Sequence, residues 1–106
     1  MNLDLHNRLL AALDRDDAVE LLRGAIGRNS VTGNEARMVD YLHGQMQGRG
    51  IEEIDVTEFA AGRPNIRGKR AGAGGGKRLL FIGHTDTVHV EGWEQRWAGD
   101  IRENPF

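Results

Sequence analysis

Residues 79–88 read Leu79-Leu80-Phe81-Ile82-Gly83-His84-Thr85-Asp86-Thr87-Val88. Four consecutive apolar residues between Arg78 and Gly83 suit a strand covered on both faces. On an extended chain, residues two apart project to the same side, so His84 and Asp86 share a face where the apolar run gives out. Open α/β sheets carry their ligands at the carboxyl ends of strands, which makes this position a candidate site on geometry alone. An imidazole there can offer one ring nitrogen to a divalent metal, while a carboxylate on the other nitrogen fixes its tautomer and raises its basicity. Thr85 and Thr87 point the other way, and their hydroxyls are expected to tie down backbone groups.

Upstream, apolar residues recur at three- and four-residue spacing in Leu5, Leu9, Ala12 and Leu13, and again in Val19, Leu22, Ala25 and Ile26. Both runs predict helices. Asp14, Asp16 and Asp17 stand where the second begins, as suits a helix amino end, and Gly27 can close it. Thr32 and Glu35 match a capping box for a third helix, whose face is marked by Ala36, Val39, Leu42 and Met46 and which ends at Gly48 and Gly50. Ile51, Ile54, Val56 and Phe59 then form an imperfect strand closed by Ala60-Ala61-Gly62, and residues 65–70 a second. Residues 71–76 (AGAGGG) form a flexible connection to the third strand, residues 78–83, and the chain from Glu91 onward reads as loop. No internal repeat is present. The expected fold class is therefore α/β: two to three helices and about three strands of a mixed sheet in one unit, residues 1–106.

The chain has 106 residues, 39% of them hydrophobic, which suits a single core. No apolar run approaches the ~18 to 20 residues that span a bilayer, and the amino terminus lacks the basic patch and long apolar stretch of an export signal. A cytoplasmic chain without membrane partners is expected. Cysteine is absent, so a bound metal must be held by imidazole and carboxylate. Fourteen basic against sixteen acidic residues give a net charge of -2, with no general attraction to nucleic acid.

Charge is nonetheless uneven. Between Glu58 and Asp86 no acid occurs, whereas Arg63, Arg67, Lys69, Arg70, Lys77 and Arg78 do. A basic surface hairpin explains this, because nucleic-acid binding would call for interleaved aromatics, and the window has only Phe59 at its edge and Phe81 in the apolar run. The glycine run is not a phosphate loop either. That motif needs glycine where Ala71 stands and Ser or Thr where Arg78 stands, and it leads into a helix rather than a strand.

A lone His-x-Asp is more often a plain ion pair than a metal site, and a zinc site needs at least three protein ligands. His6 and His43 fall on predicted helices and are expected to face solvent. His89 is near enough to line the same mouth. The context of the motif adds a resemblance. Gly83-His84-Thr85-Asp86-Thr87-Val88 behind the apolar run closely resembles the first metal motif of the metallopeptidase family that includes aminoacylase, acetylornithine deacetylase and succinyl-diaminopimelate desuccinylase. Ser30-Val31-Thr32-Gly33-Asn34-Glu35 looks like that family's loop into its second helix. Gly62-Arg63-Pro64-Asn65 looks like its entry to the second strand, and Trp97 with Asn104-Pro105-Phe106 like the segment after the motif. His89 departs from the pattern, since many members carry proline there.

The resemblance implies a partial three-layer zinc-peptidase-like catalytic domain in which His84 binds one of two zinc ions, with cobalt or manganese as alternatives, and Asp86 orients it for catalysis. It further implies hydrolysis of the amide bond of small N-acyl amino acids or peptides, with homodimerisation of the full-length enzyme. The remaining ligands and the general base of that family lie downstream of a Pro-Phe such as Pro105-Phe106. The chain is therefore expected to be the amino-terminal piece of a longer enzyme, inactive alone, with an unpaired sheet edge exposing Leu80 and Ile82. The alternative is a non-catalytic interaction module whose His-Asp pair is structural.

Overall fold

A computed structural model describes residues 2–102. Three helices, α1 (Leu3–Ala11), α2 (Arg15–Ile26) and α3 (Ala36–Gly48), precede two strands, β1 (Glu53–Ala60) and β2 (Arg63–Lys69). The result is a small α/β fold. Among the described residues no helix is long and apolar enough to cross a membrane.

Each helix start has a local cause. Asn2 caps α1, its side-chain oxygen accepting from the amides of Asp4 and Leu5 at 3.0 and 3.2 Å. Asp14 caps α2 by accepting from the Asp17 amide at 3.0 Å, and Asp16 and Asp17 lie in the first turn, where the helix dipole favours negative charge. Gly27 is the carboxyl cap, as the sequence predicts. α1 has the expected apolar periodicity but, among the described residues, packs on no other helix or strand, and Leu5, Leu9 and Leu10 are exposed.

α3 is the hub. Its Val39, 1% exposed, is the buried centre of a small core. One side of the helix meets the hairpin, where the Met46 and Ile51 side chains close over Gly68. Its other side meets α2: the Tyr41 hydroxyl donates to the Leu21 carbonyl at 2.9 Å, and the Arg28 guanidinium lies 4.4 Å from the Tyr41 ring centre. Arg49 joins the far ends of the two helices through a forked bond to both Asp17 oxygens, at 2.5 and 2.8 Å.

The α2–α3 crossing depends on a missing side chain. A Cβ at Gly24 would lie 2.1 Å from the Tyr41 hydroxyl oxygen and 2.6 Å from its Cζ. Gly24→Ala should therefore destabilise the chain by up to about 2 kcal/mol in urea unfolding. The overpacking penalty of ~1–3 kcal/mol outweighs the ~1 kcal/mol that alanine gains inside a helix. A variant more stable than the parent would show that Tyr41 moves aside freely.

β1 and β2 pair antiparallel with Val56 opposite Ile66, joined through Gly62, whose φ of 71° suits glycine in a tight turn. A bulge separates Glu58 from Ala60. Two cations of the basic window form cross-strand pairs here: Arg67 bonds Asp55, and Lys69 sits 3.1 Å from Glu53.

The third strand does not form. Residues 70–102 contain no strand pairing beyond one isolated parallel bridge between Val31 and Thr87. The sheet is thus two-stranded and antiparallel rather than three-stranded and mixed. A run apolar on both faces needs a neighbouring strand and a covering layer. The hairpin supplies neither to residues 79–82, so Phe81 is 87% and Ile82 86% exposed, in keeping with the exposure expected for this run. Residues 91–102 run as turns and loop, as expected. Asn104, Pro105 and Phe106 lie outside the described residues.

Candidate functional site

The apolar run delivers its motif to the loop in front of α3. Two bonds of the parallel bridge hold them together: the Thr32 amide donates to the Thr87 carbonyl at 3.0 Å, and the Thr87 amide to the Ser30 carbonyl at 2.9 Å. Ser30 is wholly buried, and its hydroxyl donates to the Thr85 carbonyl. The backbone of Thr85 and Thr87, rather than their hydroxyls, makes these bonds.

His84 and Asp86 meet as their spacing predicts. His84 Nδ1 lies 2.9 Å from Asp86 Oδ1 and 2.8 Å from the Asp86 carbonyl oxygen. The second carboxylate oxygen, Oδ2, accepts from the Thr32 hydroxyl at 2.8 Å. Hydrogen bonds from Thr32 first and His84 second hold the Asp86 carboxyl below the usual carboxylate range. An ionised carboxylate and a carbonyl can only accept, so Nδ1 carries the proton and the lone pair of neutral His84 resides on Nε2. The imidazole is 84% exposed, against 32% for the Asp86 side chain. The ring is therefore anchored at one nitrogen and presented to solvent at the other.

The expected capping box is replaced by a longer-range arrangement. Glu35 occupies the cap position of α3 without a capping bond from its side chain, and Thr32 turns to Asp86. Gly33, at φ 96°, reverses the chain between them, a conformation a side chain would resist. The Glu35 carboxylate, 3% exposed, accepts from the Gly33 amide at 3.0 Å. It also takes a forked bond from Arg63, at 3.1 Å from Nε and 2.5 Å from Nη2. These bonds, Arg63's foremost, lower its pKa from 4.5 to about 2. Arg63 stands at the start of β2, over the Phe59 ring at 4.9 Å, so the hairpin is latched to the same loop that carries Thr32.

The other histidines stay apart. His89 is exposed and lies 3.7 Å from Glu91, His6 is exposed on α1, and His43 is half-buried on α3 rather than facing solvent freely. Among the described residues no group of three or more His, Asp or Glu side chains could hold a metal ion. The sequence pairs His84 with Asp86, as the contact between them shows, but gives Thr32 and Glu35 to a helix cap and Arg63 no part beside them. Gly33 was the available signal, since glycine inside a capping box favours a turn.

The chain is similar to the succinyl-diaminopimelate desuccinylase of Methylocella silvestris, with 39% identity over 72 residues. The match takes in 67% of this chain and 19% of that protein, so the chain spans about a fifth of the length of the curated relative it matches. This similarity supports, at the level of the family, the resemblance seen in the motifs. No protein-family model matches the chain. No solved structure matches it.

Proposed function

We propose that this chain is the amino-terminal part of a metal-dependent amidohydrolase acting on small N-acyl amino acids or peptides, similar to acetylornithine deacetylase. The observation that carries the reading is the His84–Asp86 bond, which leaves Nε2 as the ring nitrogen available to a cation. The similarity to a desuccinylase supports it independently. The donor set fits one corner of a metal site: a neutral imidazole with its orienting carboxylate suits zinc, cobalt or manganese, but closure needs at least two more protein ligands. These would come from chain that follows, as the short span of the match allows. In the complete enzyme the ions would acidify a water and polarise the amide carbonyl. The part of this chain is to bind through His84 and to hold that ring in aim through Asp86.

A chimaera tests the reading. The matching segment of the Methylocella silvestris desuccinylase is replaced by this chain, and hydrolysis of succinyl-diaminopimelate is measured with zinc supplied. Activity is expected, and Asp86→Asn should lower it ~10–100-fold, the range found when the orienting partner of a metal-bound histidine is lost. A chimaera as active with His84→Ala as without it would overturn the assignment.

The exposed run at residues 79–82 favours a second reading, an interaction module in which the His-Asp pair is structural. An inactive but folded chimaera, together with unchanged stability of Asp86→Asn in the isolated chain, would remove both readings at once.

A further inference from the structure

Asp86 has two oxygens and two partners, and this constrains it more than the His84 bond alone does. Oδ1 faces His84 Nδ1 at 2.9 Å and Oδ2 takes the Thr32 hydroxyl at 2.8 Å. A carboxylate held by one hydrogen bond can rotate about χ2, which is a broad torsion with little intrinsic preference. A second bond from a different element removes that freedom. Thr32 is itself immobilised, because its amide is bonded to the Thr87 carbonyl one residue beyond Asp86, and its hydroxyl also lies 3.3 Å from that carbonyl. The donor and the acceptor are thus fixed to one another through backbone before their side chains meet.

We infer that Thr32 is a positioning residue which, by holding Oδ2 of Asp86, keeps Oδ1 on Nδ1 of His84 and so holds the imidazole in the tautomer whose Nε2 lone pair is free. The inference rests on the proposed role of His84 only for its significance, because the tautomer exists whether or not a metal binds. Serine at position 32 keeps the hydroxyl, whereas valine keeps the shape and the backbone bond but loses the donor.

The test uses the isolated chain with 15N-labelled histidine, above the ordinary imidazole pKa of ~6.5, where a long-range 1H–15N spectrum separates the two neutral tautomers. The parent and Thr32→Ser are expected to show His84 with the proton on Nδ1. Thr32→Val is expected to raise the share of the other tautomer, the Asp86 carbonyl at 2.8 Å from Nδ1 retaining the remainder. The Thr87 amide shift reports in the same sample whether the Val31–Thr87 bridge persists, and Thr32→Ala, which adds no branched methyl, gives the same reading if valine disturbs it. An unchanged His84 tautomer in both Thr32→Val and Thr32→Ala overturns the inference, as does a parent chain with the proton on Nε2. An inactive chimaera together with a tautomer that responds to Thr32 would reject the hydrolase reading and leave the positioning role standing.

Discussion

Arg63→Met is expected to lower the urea midpoint more than removal of any exposed ion pair in this chain. Arg67→Met at the Asp55 pair is the natural comparison, because surface pairs contribute little to stability. Methionine can keep the stem contact with Phe59 but leaves the Glu35 carboxylate, almost wholly shielded from water, with backbone amides and no counter-charge. Removing one partner of a shielded pair is costly because the other charge is left uncompensated. The loss should depend on pH in a stated direction. Glu35 in the folded chain sits at about 2 against an ordinary 4.5, so its contribution is complete above 4.5 and fades as the pH falls towards about 2. The difference between parent and Arg63→Met should therefore be widest near neutrality and narrow through that acid window. Denaturation series at several pH values would show it, and a small, pH-independent difference would mean that the latch does not hold the loop.

The second large effect concerns residues 79–82. An unpaired run with Phe81 and Ile82 almost fully in water can offer its backbone and its apolar side chains to a second copy. Antiparallel pairing about Ile82 would set Arg78 of one copy opposite Asp86 of the other, whereas parallel in-register pairing would stack like charges. Sedimentation at rising concentration should give masses well above the 11.7 kDa of one chain. Phe81→Lys combined with Ile82→Lys should return it to a monomer, since a charge on each face opposes edge pairing. A parent chain that stays a compact monomer at high concentration would contradict this.

What the sequence made legible follows from how local each cause is. The helices were readable because a 3.6-residue period and an aspartate cap such as Asp14 act within one turn. The hairpin was readable because Gly62 sits between two runs that each suit a strand. The pairing of His84 with Asp86 was readable because its partners stand only two residues apart in the chain. Thr32 and Glu35 were misplaced for the converse reason. Their partners, Asp86 and Arg63, lie 54 and 28 residues away, and a three-residue capping pattern cannot register such competition. The third strand failed for a related cause: unbroken apolarity marks what a segment would bury, while pairing needs a neighbour that the run itself does not specify.

The contact between Ser30 and Thr85 closes a loop of 55 residues, and everything that aims His84 lies at that closure. Closing so long a loop is entropically costly, so the contact should form after the helices and the hairpin rather than with them. It can also come undone by itself in a brief opening that leaves the secondary structure intact. The imidazole then keeps its place in the sequence but loses its bearing, and a cation that required that bearing would act as the clasp holding the two distant stretches shut.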